Sequence, residues 1–91
     1  MTQTITMRIW TLMGKENIRT VSDFRVHNGE LLIQSDNIED THQIIEAGQP
    51  CNISFITCES EDEVGQYREH SYRDCSLVRG RIVFGALCVP A

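Results

Sequence analysis

Asn28 and Gly29 form a two-residue break between two runs of β-type residues. An Asn-Gly loop of this length favours a type I′ turn, because both central residues of that turn need positive φ. The turn predicts that His27 lies opposite Glu30, and this pair fixes the register of the hairpin. One face then carries Phe24, Val26, Leu31 and Ile33, and the other carries Arg25, His27, Glu30 and Gln34, with Leu32 as the exception. One dry and one wet face are typical of an antiparallel hairpin packed on a core.

Alternation of apolar and polar residues predicts further strands on both sides of this hairpin. Residues 3–12 alternate, with Trp10 on the polar face, and residues 14–17 are typical of a turn. Residues 18–26 continue as a strand whose apolar parity shifts, which predicts a bulge near Ser22 and Asp23. Residues 51–58, 72–78 and 81–89 are also β-rich, and Arg79-Gly80 is either a tight turn or a kink.

One segment has the pattern of a helix. Asp36 can cap it, and Glu39 follows at the spacing of a capping box. Gly48 can end the helix, and Pro50 cannot continue it. We therefore predict one short helix at about residues 37–47.

The 91 residues are enough for one domain, residues 1–91. These patterns predict a mainly β fold, a small antiparallel barrel or sandwich of about five to seven strands with the one helix.

Charge is unevenly distributed along the chain. Residues 26–67 contain nine acids and no Lys or Arg, whereas each flank has a net charge of +2, which gives −5 in total. Separated charges of this kind favour head-to-tail contacts between copies, and an outward Trp also indicates a contact surface. The predicted interface comprises Trp10, the arginines Arg68, Arg73, Arg79 and Arg81, and the acids Glu59, Glu61, Asp62 and Glu63.

Several kinds of chemistry are disfavoured. Cys51, Cys58, Cys75 and Cys88 lack the paired spacing of a zinc site, and strand cysteines usually pack as small hydrophobes. A cysteine nucleophile with His42 or His70 has no supporting spacing. No glycine-rich loop precedes the helix, no apolar run is long enough to span a bilayer, and the acidic balance argues against direct nucleic-acid binding. We expect no cofactor, no metal and no enzymatic activity.

The sequence therefore favours a non-enzymatic structural or interaction subunit that forms homo-oligomers, such as a virion or tail-type viral component. The alternative is a small acidic inhibitor or adaptor that binds a host protein, by nucleic-acid mimicry through residues 59–63. The start of the chain lacks the features of a secretion signal, so we expect a cytoplasmic or virion location with reduced thiols.

Overall fold

The computed structural model describes residues 5–58 and 67–85, which form seven strands and one helix. The strands are β1 (Ile5–Thr11), β2 (Glu16–Val21), β3 (Asp23–His27), β4 (Glu30–Gln34), β5 (Cys51–Cys58), β6 (Tyr67–Val78) and β7 (Arg81–Val83), and the helix α1 spans Ile38–Gly48. The prediction of a mainly β, antiparallel fold with one helix is confirmed.

All strands pair antiparallel in one sheet with the order β2-β1-β5-β6-β7-β4-β3. The sheet curls but, over the described ranges, it does not close into a barrel. Its two edge strands, β2 and β3, follow each other along the chain with only Ser22 between them. These two strands meet end to end at Ser22, and no hydrogen-bonded ladder pairs them side by side.

Two irregularities bend the sheet. Asp23 lies opposite Gln34, and the backbone N–H of Ser22 also donates to the carbonyl of Gln34, so the predicted bulge at this point is confirmed. The second bulge lies within β6, whose first part pairs with β5 and whose end pairs with β7. There the register shifts by one residue, and Asp74 adopts a positive φ of 54°. One half of the sheet comprises β2, β1, β5 and the first part of β6, and the other comprises the end of β6, β7, β4 and β3. Residues 16–27 and strand β6 each contribute to both halves.

The hairpin register predicted from Asn28 and Gly29 is confirmed. These residues have φ of 51° and 78°, and His27 pairs with Glu30. Val26, predicted on the dry face, is 46% exposed because it lies next to the turn, away from the core.

The other two predicted turns have different outcomes. Arg79 and Gly80 form a tight turn, with φ of 52° and 76°, between the paired residues Val78 and Arg81. The turn predicted at residues 14–17 begins earlier in the chain than expected. The hydrogen bonds close it from Thr11 to Lys15, so the following residues already belong to β2.

The helix lies within one residue of its predicted bounds, but its start differs in detail. Asn37, not Asp36, is the N-cap residue, and it makes no side-chain capping bond. The hydroxyl of Ser35 instead accepts a hydrogen bond from the backbone N–H of Asn37 at 3.2 Å. Thr41 and Ile45 are buried and hold the helix against the sheet.

The core lies between the curled sheet and α1. It comprises Ile5, Met7, Ile9, Val21, Leu31, Ile45, Cys51, Ile53, Phe55, Cys75 and Ile82. Phe24 of β3 stacks on Phe55 of β5 with ring centroids 4.1 Å apart, so the two halves of the sheet share one core. The last strand, predicted over residues 81–89, is described only as β7, and residues 86–89 lie outside the described ranges.

Candidate interaction surface

Strand β1 lies between β2 and β5 and presents one side away from the core. Because Ile5, Met7 and Ile9 are buried inward, the alternate side chains point outward. With their cross-strand neighbours they form a surface that we call the outer face: Thr6, Arg8 and Trp10 of β1, Glu16, Ile18 and Thr20 of β2, and Asn52, Ser54 and Ile56 of β5. Ile18 is 55% exposed on this face.

Three of these side chains form a connected group, which we call the Arg8 cluster: Arg8, Trp10 and Glu16. The Nε atom of Arg8 lies 2.7 Å from Oε1 of Glu16. The guanidinium carbon of Arg8 lies 4.3 Å from the centroid of the Trp10 ring, which is a cation–π contact. Both charged side chains are about one-third exposed. The cation is therefore held over the ring and still reaches solvent.

Electrostatics within the Arg8 cluster favour the charged forms. The hydrogen bond and charge of Arg8 lower the pKa of Glu16, with a further contribution from a Trp10 hydrogen bond. The pKa of Arg8 is raised by its hydrogen bond to Glu16 and, more weakly, by the charge of Glu69. Glu69 lies on β6 opposite Ile56, so Arg8 has carboxylates on two sides.

Ser54 occupies the centre of the outer face, opposite Arg8. It is only 1% exposed, and its hydroxyl lies 2.9 Å from that of Ser71 on β6. The hydroxyl of Ser54 is therefore hydrogen-bonded although neighbouring groups cover the side chain.

The structure places the predicted interface residues at several sites. Trp10 lies half-buried in the Arg8 cluster. The four arginines are spread along β6 and the turn that follows it. Arg68 and Arg73 are exposed, and each interacts with another group. Arg79 and Arg81 flank Gly80 in the turn. Arg68 and Arg79 are thus separated by roughly 30 Å of strand. The acids Glu59, Glu61, Asp62 and Glu63 lie outside the described residues.

Two ion pairs join a basic flank of the sequence to its acidic middle. Arg19 of β2 bonds Asp40 of α1 at 2.7 Å, and Arg81 of β7 approaches Glu30 of β4 at 3.7 Å. Charges that are separated along the sequence are therefore partly paired in the folded chain.

A groove that the sequence analysis missed lies between the β1–β2 turn and α1. It has a volume of about 550 Å³, and its apolar lining includes Leu12, Met13, Ile44 and Ala47. Leu12 and Met13 are 76% and 96% exposed. Two large apolar residues immediately before Gly14 are the available signal, but the alternation of residues 3–12 places Leu12 at the end of a strand.

The described residues give no support to metal or thiol catalysis. They contain no group of three or more potential metal-binding side chains. Burial raises the pKa of the Cys51 thiol to about 11, which is the opposite of what a nucleophilic cysteine needs. In the same part of the chain, no helix is long and apolar enough to cross a membrane.

Comparisons with known proteins add no assignment: no family model, no curated protein and no solved structure matches this chain. The protein is thus defined by its fold, a small curled antiparallel sheet with one helix, and by the surfaces described above.

Proposed function

We propose that this chain is a non-enzymatic interaction subunit that associates with copies of itself through the outer face. The observation that carries the proposal is the Arg8 cluster, an arginine stacked on a tryptophan and fixed by a glutamate on a partly exposed face of the sheet. The apolar Ile18 beside it enlarges the contact area.

The Arg8 cluster has the composition of an interface centre. Tryptophan and arginine are the residues most enriched among those that dominate binding energy. Association normally costs about 0.5–1.5 kcal/mol for each flexible side chain that becomes ordered. In this cluster Glu16 and the ring already restrain Arg8, so that cost is reduced before any partner arrives.

The arrangement of charge favours a second copy as the partner. Glu16 on β2 and Glu69 on β6 lie on opposite sides of Arg8. In a two-fold contact the same patch is used twice, which allows each Arg8 to pair with the Glu69 of the other copy. A patch that contains both the cation and its acceptors is self-complementary, which a uniformly acidic surface is not.

Light scattering coupled to size exclusion tests this proposal on the whole chain. Over a range of protein concentrations we expect a mass that rises above 10.4 kDa towards a multiple of that value. Trp10→Ala should weaken the association at least tenfold, as truncation of a central aromatic residue does in known interfaces. Leu32→Ala is the matched control, because Leu32 is also apolar and 43% exposed but lies on β4, remote in the strand order.

A second variant tests the charged part of the contact. Glu69→Lys should weaken association strongly at about 0.05 M salt and much less at about 0.5 M, where charges are screened. A chain that remains monomeric at every accessible concentration contradicts the proposal. Equal association of the Trp10→Ala and Leu32→Ala variants contradicts the assignment of the outer face.

A further inference from the structure

Cys51 and Cys75 are directly opposite each other on the neighbouring strands β5 and β6. Cys51 is 1% exposed, Cys75 is fully buried, and both are in the reduced thiol form. The pair stands at the second bulge, where the next pair along the ladder is Ile53 with Tyr72. Two thiols are therefore held in one buried position at the point where the sheet bends.

The geometry of this pair suits a covalent bond. Directly opposite residues of antiparallel strands have Cα atoms about 4.5–5.5 Å apart, inside the range of about 4.4–6.8 Å found for disulfides. The Sγ atom of Cys51 already lies 3.7 Å from the carbonyl oxygen of Cys75, so it is directed at the partner residue. The Sγ atom of Cys75 lies 3.4 Å from the carbonyl oxygen of Tyr72. A rotation of the Cys75 side chain away from Tyr72 is the main movement needed.

We propose that Cys51 and Cys75 are a disulfide-forming site, oxidised by a low-molecular-weight disulfide into a cross-strand bridge. One thiolate attacks the small disulfide, forms a mixed disulfide and releases one small thiol. The second cysteine thiolate then attacks the protein sulfur and releases the other small thiol. The two cysteines lose two protons and two electrons, and the reagent gains them as two thiols.

The bridge would join β5 to β6 beside the bulge and close a chain segment whose ends are 24 positions apart. A crosslink that closes a segment of this length reduces the conformational freedom of the unfolded chain. The midpoint of thermal unfolding should therefore be higher in the oxidised protein by on the order of 10 °C. It also fixes the place where the two halves of the sheet meet.

Burial predicts that the reaction is slow in the native protein. The pKa of Cys51 is raised to about 11, so little thiolate is present at neutral pH. Below that pKa the thiolate fraction, and with it the initial rate, rises about tenfold for each pH unit.

The test incubates the full chain with oxidised glutathione, blocks the remaining thiols in denaturant, and maps the disulfides by mass spectrometry. We expect the four alkylatable thiols to fall to two, and one crosslinked peptide to contain Cys51 and Cys75. Cys58→Ala and Cys88→Ala should leave the bridge intact, whereas Cys75→Ala should abolish it. Because the wild-type map alone decides the pairing, a poorly folding variant does not remove the test.

Four results would overturn the proposal. The first three are four alkylatable thiols after prolonged oxidation at alkaline pH, a bridge that joins any other pair, and glutathione adducts that persist on Cys51 or Cys75. A crosslink between two chains would also contradict it, because the geometry described lies within one chain.

Discussion

Replacing Gly48 with alanine is expected to stabilise the fold less than helix propensity predicts, or to destabilise it, although alanine is the better helix former. Gly48 is the last residue of α1, and a Cβ atom on it would overlap the Cγ2 methyl group of Thr11 and lie 3.2 Å from its Cβ. Oγ1 of Thr11 accepts a hydrogen bond from the backbone N–H of Lys15 at 3.1 Å. Thr11 therefore cannot rotate its methyl group away without giving up a bond of the β1–β2 turn.

The gain in helix propensity and the cost of the steric overlap with Thr11 act in opposite directions. Alanine gains at most about 1 kcal/mol of helix propensity over glycine. Relief of the overlap costs about 1–3 kcal/mol if the helix shifts, or about 0.5–1.5 kcal/mol if Thr11 rotates and its hydrogen bond is lost. Because the cheaper route sets the cost, the net change expected for Gly48→Ala lies between a gain of about 0.5 kcal/mol and a loss of about 1.5 kcal/mol in the free energy of unfolding.

Thr11→Ser separates the two terms, because serine keeps the hydroxyl and lacks the methyl group. In that background Gly48→Ala should be neutral or stabilising by up to about 1 kcal/mol. Urea unfolding of the four proteins, followed by circular dichroism, gives the coupling energy directly. Ala47→Gly, at an exposed helix position, measures the propensity term alone. An equal effect of Gly48→Ala in both backgrounds would refute the steric explanation.

Three further predictions concern the hairpin, the core and the Arg8 cluster. Asn28→Ala should cost about 1 kcal/mol in urea unfolding because of the positive φ, whereas Asn28→Gly should change little. Phe24→Ala should cost about 2–4 kcal/mol by removing the stack on Phe55, and a loss below that of an exposed Leu→Ala variant would contradict this. The hydrogen bond from Arg8 lowers the folded-state pKa of Glu16 from its usual value, so stability from this pairing is present at neutral pH and lost as pH falls through the folded pKa. Glu16→Gln should therefore lose less stability than the wild type from about pH 6 to about pH 3, measured by thermal melts.

Features governed by local chemistry could be predicted from the sequence. The Asn28-Gly29 turn permits one register, and that register follows without knowledge of the rest of the chain. The shift in apolar alternation before Phe24 predicts the bulge at Ser22 for the same reason. The alternation within one strand indicates which of its faces is buried, without reference to other segments.

Features decided by distant contacts could not be predicted in this way. Asp36 has the better spacing for an N-cap, but the helix begins after Asn37. There the hydroxyl of Ser35 accepts a hydrogen bond from the backbone N–H of Asn37. Gly48 ends the helix as expected, yet its lack of a side chain matters because the backbone lies close to Thr11, a residue far earlier in the chain. The pairing of Cys51 with Cys75 likewise depends on a strand order that no single segment specifies.

The fold also indicates which part of the predicted interface would carry the proposed self-association. Topology places β4 beside β7 and α1 near β2, so Arg81 meets Glu30 and Arg19 meets Asp40 within one chain. Such exposed pairs contribute about 0–1 kcal/mol each, but they reduce the charge that one copy can offer another. Trp10 should therefore matter more than the flanking arginines, and Arg81→Gln should leave the association constant measured by light scattering within about twofold of the wild type. If Arg81→Gln dissociates the oligomer and Trp10→Ala does not, separated charge rather than the outer face holds the copies together.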